Sequence, residues 1–152
     1  MKHRAWHAPV RLATGAFILN SGISKWQYSD PEQQKQLHSM ATTAYPVLEN
    51  VEPEAFARLL AAGEMALGGA LLAPFVSPGM AGLGLSAFGG SLVGLYLRTP
   101  GARQPNSLRP SSQGIALAKD VWMLGIGTGL VLEAASEAVR GLFGRRSGKK
   151  KK

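Results

Sequence analysis

A chain of 152 residues, 45% of them hydrophobic, is one domain by size and holds material for either a soluble core or several membrane helices. Its formal charge of +8 gathers near the two ends, and cysteine is absent. That absence excludes disulfides, thiolate metal sites and any dithiol chemistry in this chain.

In chain order, the first apolar stretch is residues 9–26, PVRLATGAFILNSGISKW, uncharged between Arg11 and Lys25. Those two cations stand where they would reach headgroups from either end of a span. No small-residue cleavage site precedes a soluble domain, so the stretch reads as a retained span and not a cleaved leader. His3 and His7 stand four apart before it. With no third ligand nearby, they read as headgroup-level residues beside Trp6, and no metal site is expected. The polar segment SDPEQQKQLHSMATTAYP then offers Asp30 as an N-cap, Pro31 at the first helical position and Glu32 in the first turn. Leu37, Met40, Ala41 and Ala44 recur at helical spacing, which predicts a short amphipathic helix on the membrane surface.

Residues 65–97 contain no Asp, Glu, Lys, Arg or His. As one helix, at about 1.5 Å per residue, they would reach roughly 50 Å against a hydrocarbon core of about 30 Å. The chain must therefore turn back, and APFVSPGM supplies the turn through Pro74, Pro78 and Gly79. Spans at 55–74 and 79–97 follow. A last span at 114–133 includes GIALAKDVWMLGIGTGLVL, in which Lys119 and Asp120 interrupt an otherwise apolar run. The fold class expected is an all-α membrane protein. Residues 1–133 would form a four-helix transmembrane bundle with the amphipathic helix in its first extracytoplasmic loop, and 134–152 a basic cytoplasmic tail.

Lys2 and Arg4 precede the spans, while Arg140, Arg145, Arg146 and the lysines at 149–152 follow them. The excess places both termini in the cytoplasm, which an even number of spans permits. Asp30, Glu32, Glu49, Glu52 and Glu54 make the first loop acidic, as suits the opposite side. Arg98, Arg103 and Arg109, between the third and fourth spans, run against the rule. The terminal RRSGKKKK, so close after a span, is best matched to anionic lipid headgroups, and no nucleic-acid partner is expected.

Gly82, Ser86, Gly90 and Gly94 repeat every fourth residue along the third span, and Gly125 and Gly129 do so on the fourth. Such stripes of small residues let helices approach closely. GIGTG lacks the Lys-Ser/Thr of a phosphate-binding loop. Glu64 shares a helical face with Ala57, Ala61 and Gly68, so it points inward, where an intramembrane carboxylate survives. The assumed topology gathers Asn20, Lys25, Glu64, Tyr96, Arg98, Lys119 and Asp120 in the outer half of the bundle. Lys119 and Asp120 point about 100° apart on a helix, so each is expected to pair with a different span: Glu64 with Lys119 or Lys25, and Asp120 with Lys25 or Arg98. Two readings stand side by side: ion pairs that fix helix register, or a polar pocket that binds a quinone head or passes a proton. Trp26, Tyr28, Tyr96 and Trp122 read as interfacial belt residues and His38 as a surface residue. No Ser-His-Asp set supports hydrolysis, and the isolated chain is not expected to be an enzyme.

Three stretches, RLATGAFILNSGISK (11–25), EMALGGALL (64–72) and AKDVWMLGIG (118–127), resemble in that order the DoxX family of small bacterial four-span membrane proteins. The resemblance implies a four-helix bundle in the bacterial plasma membrane and an accessory role in a redox or oxidative-stress-related complex. The polar positions it matches are Asn20, Lys25, Glu64, Lys119 and Asp120, with no catalytic assignment for any of them. The functional expectation is an integral membrane accessory protein with a protein partner and a quinone as its ligand. A non-catalytic scaffold that recruits a partner, or a small-solute transporter working as an oligomer, are the alternatives.

Overall fold

Proline and a polar cap decide where several helices begin. The computed structural model describes residues 7–28 and 30–148, without the side chains of Tyr28 and of residues 142–148. His3, Trp6, the leading cations and the lysine run at 149–152 lie outside the described residues. The helices are α1 (His7–Tyr28), α2 (Pro31–Ala44), α3 (Pro53–Leu72), α4 (Pro78–Arg98), α5 (Ile115–Ala118) and α6 (Val121–Gly148), with one 3₁₀ turn at Pro46–Leu48. Helices α2, α3 and α4 each open on a proline, whose missing N–H would be an orphan there anyway. The Asp30 carboxylate accepts from the Gln33 N–H at 2.8 Å and the Ser77 hydroxyl from the Met80 N–H at 3.3 Å, which caps α2 and α4.

The protein is a multi-pass membrane protein, but the four-helix transmembrane bundle is corrected to three helices, among the described residues, that are long and apolar enough to cross a membrane. These are Pro53–Leu72, Pro78–Arg98 and Ile115–Gly141. Helix α1 has the length, yet Arg11, Asn20, Ser21, Ser24, Lys25 and Gln27 dilute its apolar content. It lies instead antiparallel against α3. Leu59, Leu83 and Leu132, on the three crossing helices, are exposed, as lipid-facing residues would be.

Lipid is as apolar as leucine, so close backbone packing, not area burial, holds such helices together. The glycines show two tight pairs. Between α1 and α3, a Cβ on Gly68 would lie 2.5 Å from the Leu19 nitrogen, and one on Gly22 would lie 2.7 Å from the Ala61 carbonyl oxygen. Between α4 and α6, a Cβ on Gly89 would lie 2.5 Å from the Leu124 nitrogen, and one on Gly127 the same distance from the Ser86 nitrogen. The two pairs meet at a small apolar core of Ile18, Leu71, Ala81, Leu85 and Met123.

Arg11 links the pairs at one end. Its buried guanidinium donates to the carbonyls of Leu71 (2.8 Å), Ala70 (3.0 Å), Ala73 (2.8 Å) and Val76 (3.0 Å). These lie at the C-terminus of α3 and in the turn to α4, where helix carbonyls lack intrahelical partners and the dipole favours a cation. Arg11 is thus a helix cap and not a residue snorkelling to headgroups. At the same end the His7 ring and the Glu133 carboxylate are 2.8 Å apart and join α1 to α6.

Candidate functional site

Between the two glycine-tight pairs the packing opens into a cavity of about 320 Å³. Phe17, Ile18, Leu60, Phe88, Leu92 and Met123 supply apolar wall from α1, α3, α4 and α6, while Leu37 and Met40 of α2 cover it. Four charged side chains also line it: Lys25, Glu64, Lys119 and Asp120.

Lys25 and Glu64 form its fixed polar element. The Lys25 ammonium donates to both Glu64 carboxylate oxygens, at 3.0 and 2.9 Å, and to the Ser21 hydroxyl at 2.6 Å. All three ammonium donors are therefore used, and the Glu64 side chain is only 6% exposed against 25% for Lys25. Lys25 also lines a second hollow of about 190 Å³ with Trp26, Gln34, Ala57 and Arg58. Lys25 thus stands between the cavity and that hollow, while Glu64 faces the cavity alone.

Lys119 and Asp120 enter the wall where the chain departs from the expected continuous span. Helix α5 ends at Ala118 and α6 begins at Val121. Across the junction the bonds Asp120 N–H to Leu117 O (3.3 Å) and Met123 N–H to Asp120 O (3.1 Å) run three residues back, not four. The two charges therefore mark a break in the helix that faces the cavity. Irregular backbone at membrane depth is tolerated where it lines a cavity or is buried in protein.

The remaining expected site residues lie elsewhere. Asn20 is exposed and does not line the cavity. Tyr96 is buried, and its hydroxyl donates to the Leu108 carbonyl at 2.8 Å. This anchors the loop 99–114, in which Arg103 and Pro110 form an isolated antiparallel bridge and Gly101 adopts a positive φ of 77°. Arg98 sits over the Tyr45 ring at 5.0 Å, and the Tyr45 hydroxyl donates to the Ser91 carbonyl at 2.8 Å. Asp120 thus has neither expected partner: Lys25 is held by Glu64, and Arg98 by the tyrosine. His38 bonds the Leu48 carbonyl at 2.9 Å and packs edge-on against Phe56, a structural role. A larger hollow of about 510 Å³ is lined wholly by residues between Leu97 and Leu108, including Arg98 and Arg103. It is formed by the last residues of α4 and the loop that follows, with no wall from α1, α3 or α6.

Of the packing residues, Gly82 and Ser86 lie at the α4–α6 contact, while Gly90 has only a distant neighbour and Gly94 makes room for the Tyr45 hydroxyl. Gly125 and Gly129 face open space. Gly89 and Gly127 carry the contact that the fourfold stripes missed. Among the described residues, no group of three His, Asp or Glu side chains could hold a metal.

No family model matches the chain, and neither a curated protein nor a solved structure is similar to it. The DoxX resemblance is therefore corrected on two grounds: no family match supports it, and three helices, not four, qualify as spans. Short Gly- and Leu-rich motifs arise in membrane helices from packing alone.

Proposed function

We propose that this multi-pass membrane protein binds the polar head of a membrane-soluble quinone and serves as an accessory protein to a redox partner in the bacterial plasma membrane. The observation that carries the reading is the cavity itself, with apolar walls, four charged side chains and a broken helix in one lining. Ligand sites usually combine such walls with a few placed polar groups, and about 320 Å³ lies at the lower end of their usual range. Lys119 supplies a donor to a carbonyl or anionic oxygen of the head, the mutually satisfied Lys25–Glu64 pair forms the polar wall beside it, and Asp120 supplies an acceptor for a head hydroxyl. The chain contributes binding and not catalysis by itself, and the electrons belong to the ligand and the partner. The His7–Glu133 bond sets the start of α1 beside the half of α6 that leads to the basic tail. These two helix ends lie at one end of the bundle, and the basic residues before α1 and after α6 in the sequence support the cytoplasmic side for that end.

The test is gentle purification of the tagged protein from its native membrane, with isoprenoid quinones and co-purifying proteins both measured by mass spectrometry. Stoichiometric quinone, lost in Lys119→Met while the protein remains folded, supports the proposal. A reproducible protein partner with no quinone would transfer the assignment to a ligand-free scaffold.

A further inference from the structure

The cavity adjoins a second feature that its polar groups do not explain. Helices α1 and α6 flank it, but each packs on a different partner, so a seam runs between them. At one end the seam is tied by His7 and Glu133, 2.8 Å apart. At the other, Phe17 and Trp122 meet edge-on with ring centroids 6.3 Å apart and planes at 68°. Between the ties lies an open groove of about 500 Å³, lined by Pro9, Val10, Ala13, Thr14 and Ile126 together with the aromatic pair. From Pro9 to Phe17 it follows roughly 12 Å of α1, at about 1.5 Å per residue.

Phe17 lines both the groove and the cavity, so the aromatic pair is the partition between them. The axis is ordered as well. Lys25 lies eight residues beyond Phe17 on α1, and the groove runs the opposite way, so polar cavity, aromatic partition and apolar groove succeed one another along a single helix. An amphiphile has that same order of parts.

We infer that the groove between α1 and α6 is the lateral portal and tail channel of the cavity: a ligand with a polar head and a hydrocarbon tail passes Phe17 and Trp122 from the bilayer, seats its head near Lys25 and leaves its tail along Ala13 and Val10. This rests on the cavity being a head-group site and deepens that reading by requiring a tailed, bilayer-borne ligand. The occupant follows from continuity with the cavity. Rotation of the Phe17 side chain suffices to open the partition, because Phe17 is 57% exposed and Trp122 38%, and neither ring is locked in a packed core.

The test compares two probes in lipid nanodiscs, a decyl-tailed benzoquinone and the same benzoquinone head without its tail, with equilibrium binding read by quenching of tryptophan fluorescence. Ala13→Phe fills the groove without touching the cavity, and Ala13 is exposed. Gly129→Phe adds the same bulk where a Cβ meets open space and serves as the control. The inference expects Ala13→Phe to weaken the tailed probe about tenfold or more while the head alone binds as in wild type, with Gly129→Phe changing neither. Val10→Phe, farther along the groove, gives the same pattern should Ala13→Phe fold poorly. Equal binding of the tailed probe to both variants and wild type would show that bulk lipid merely fills the groove, and would overturn the portal. Equal loss of both probes would overturn it too, by showing that the variant damages the cavity. Failure of wild type to bind either probe would remove the head-group site itself, and the portal with it.

Discussion

Removing either end of the Lys25–Glu64 pair should have unequal effects, and the inequality follows from burial. In Lys25→Met the Glu64 carboxylate, 6% exposed, loses its only cationic partner among the described residues and both charge-assisted hydrogen bonds. Breaking a buried pair in this way costs about 3–5 kcal/mol. In Glu64→Gln the lysine retains an amide oxygen and the Ser21 hydroxyl as acceptors, and its side chain, a quarter exposed, keeps part of its hydration. About 1 kcal/mol is expected there. The double variant Lys25→Met, Glu64→Leu leaves no buried charge and fills similar volume, so it should recover most of the stability lost by Lys25→Met. Thermal unfolding in detergent, followed by tryptophan fluorescence, reads all three. At about 2–4 °C per kcal/mol for a chain of this size, Lys25→Met should lower Tm by roughly 6–20 °C. If Glu64→Gln proves the more damaging single change, or the double variant melts no higher than Lys25→Met, the reasoning from burial fails. The double variant also separates the two roles of the pair, because it should fold and yet bind no quinone.

Two further outcomes follow from the packing. Gly125→Ala and Gly129→Ala should be neutral or stabilise by up to about 1 kcal/mol, the helix-propensity gain of alanine over glycine. Gly127→Ala should instead cost roughly 1–3 kcal/mol, because its Cβ would press on the Ser86 backbone; the same melting experiment ranks the three, and equal effects would refute the close α4–α6 contact. Arg11→Lys keeps the charge but not the fork that reaches four carbonyls. It should destabilise by about 2 kcal/mol or more and speed amide exchange at the end of α3, whereas unchanged exchange there would argue against the capping role.

The α3–α4 turn was legible because a charge-free run too long for one crossing admits only a fold-back, and the cap on α2 because Asp30 and Pro31 are local signals. Helix pairing was less legible. A residue every fourth position drifts about 40° per step around a helix of 3.6 residues per turn, so Gly82 and Ser86 stay on the packed face with Gly89, while Gly90 and Gly94 rotate off it. The same geometry puts Gly127, and neither Gly125 nor Gly129, against α4. Hydropathy treated Arg11 as a span boundary because its partners are backbone carbonyls some sixty residues away, which no side-chain pattern shows. Of the two partners open to Glu64, Lys25 was settled by the antiparallel register of α1 on α3. Arg98 was misplaced because the ring of Tyr45, just past the end of α2, holds it, a partner that charge counting overlooks.

Arg11 also imposes an order of assembly. It leaves the ribosome 59 to 65 residues before the four carbonyls that satisfy it. A guanidinium left without acceptors in apolar surroundings is costly, and α1 lacks the apolar content to offset that alone. The nascent α1 must therefore wait at the interface until α3 has inserted and its turn to α4 has formed. Biogenesis then runs against the direction of synthesis at this point: the earliest helix made is seated only after a later one, and a truncation ahead of Pro53 would leave it without a place to dock.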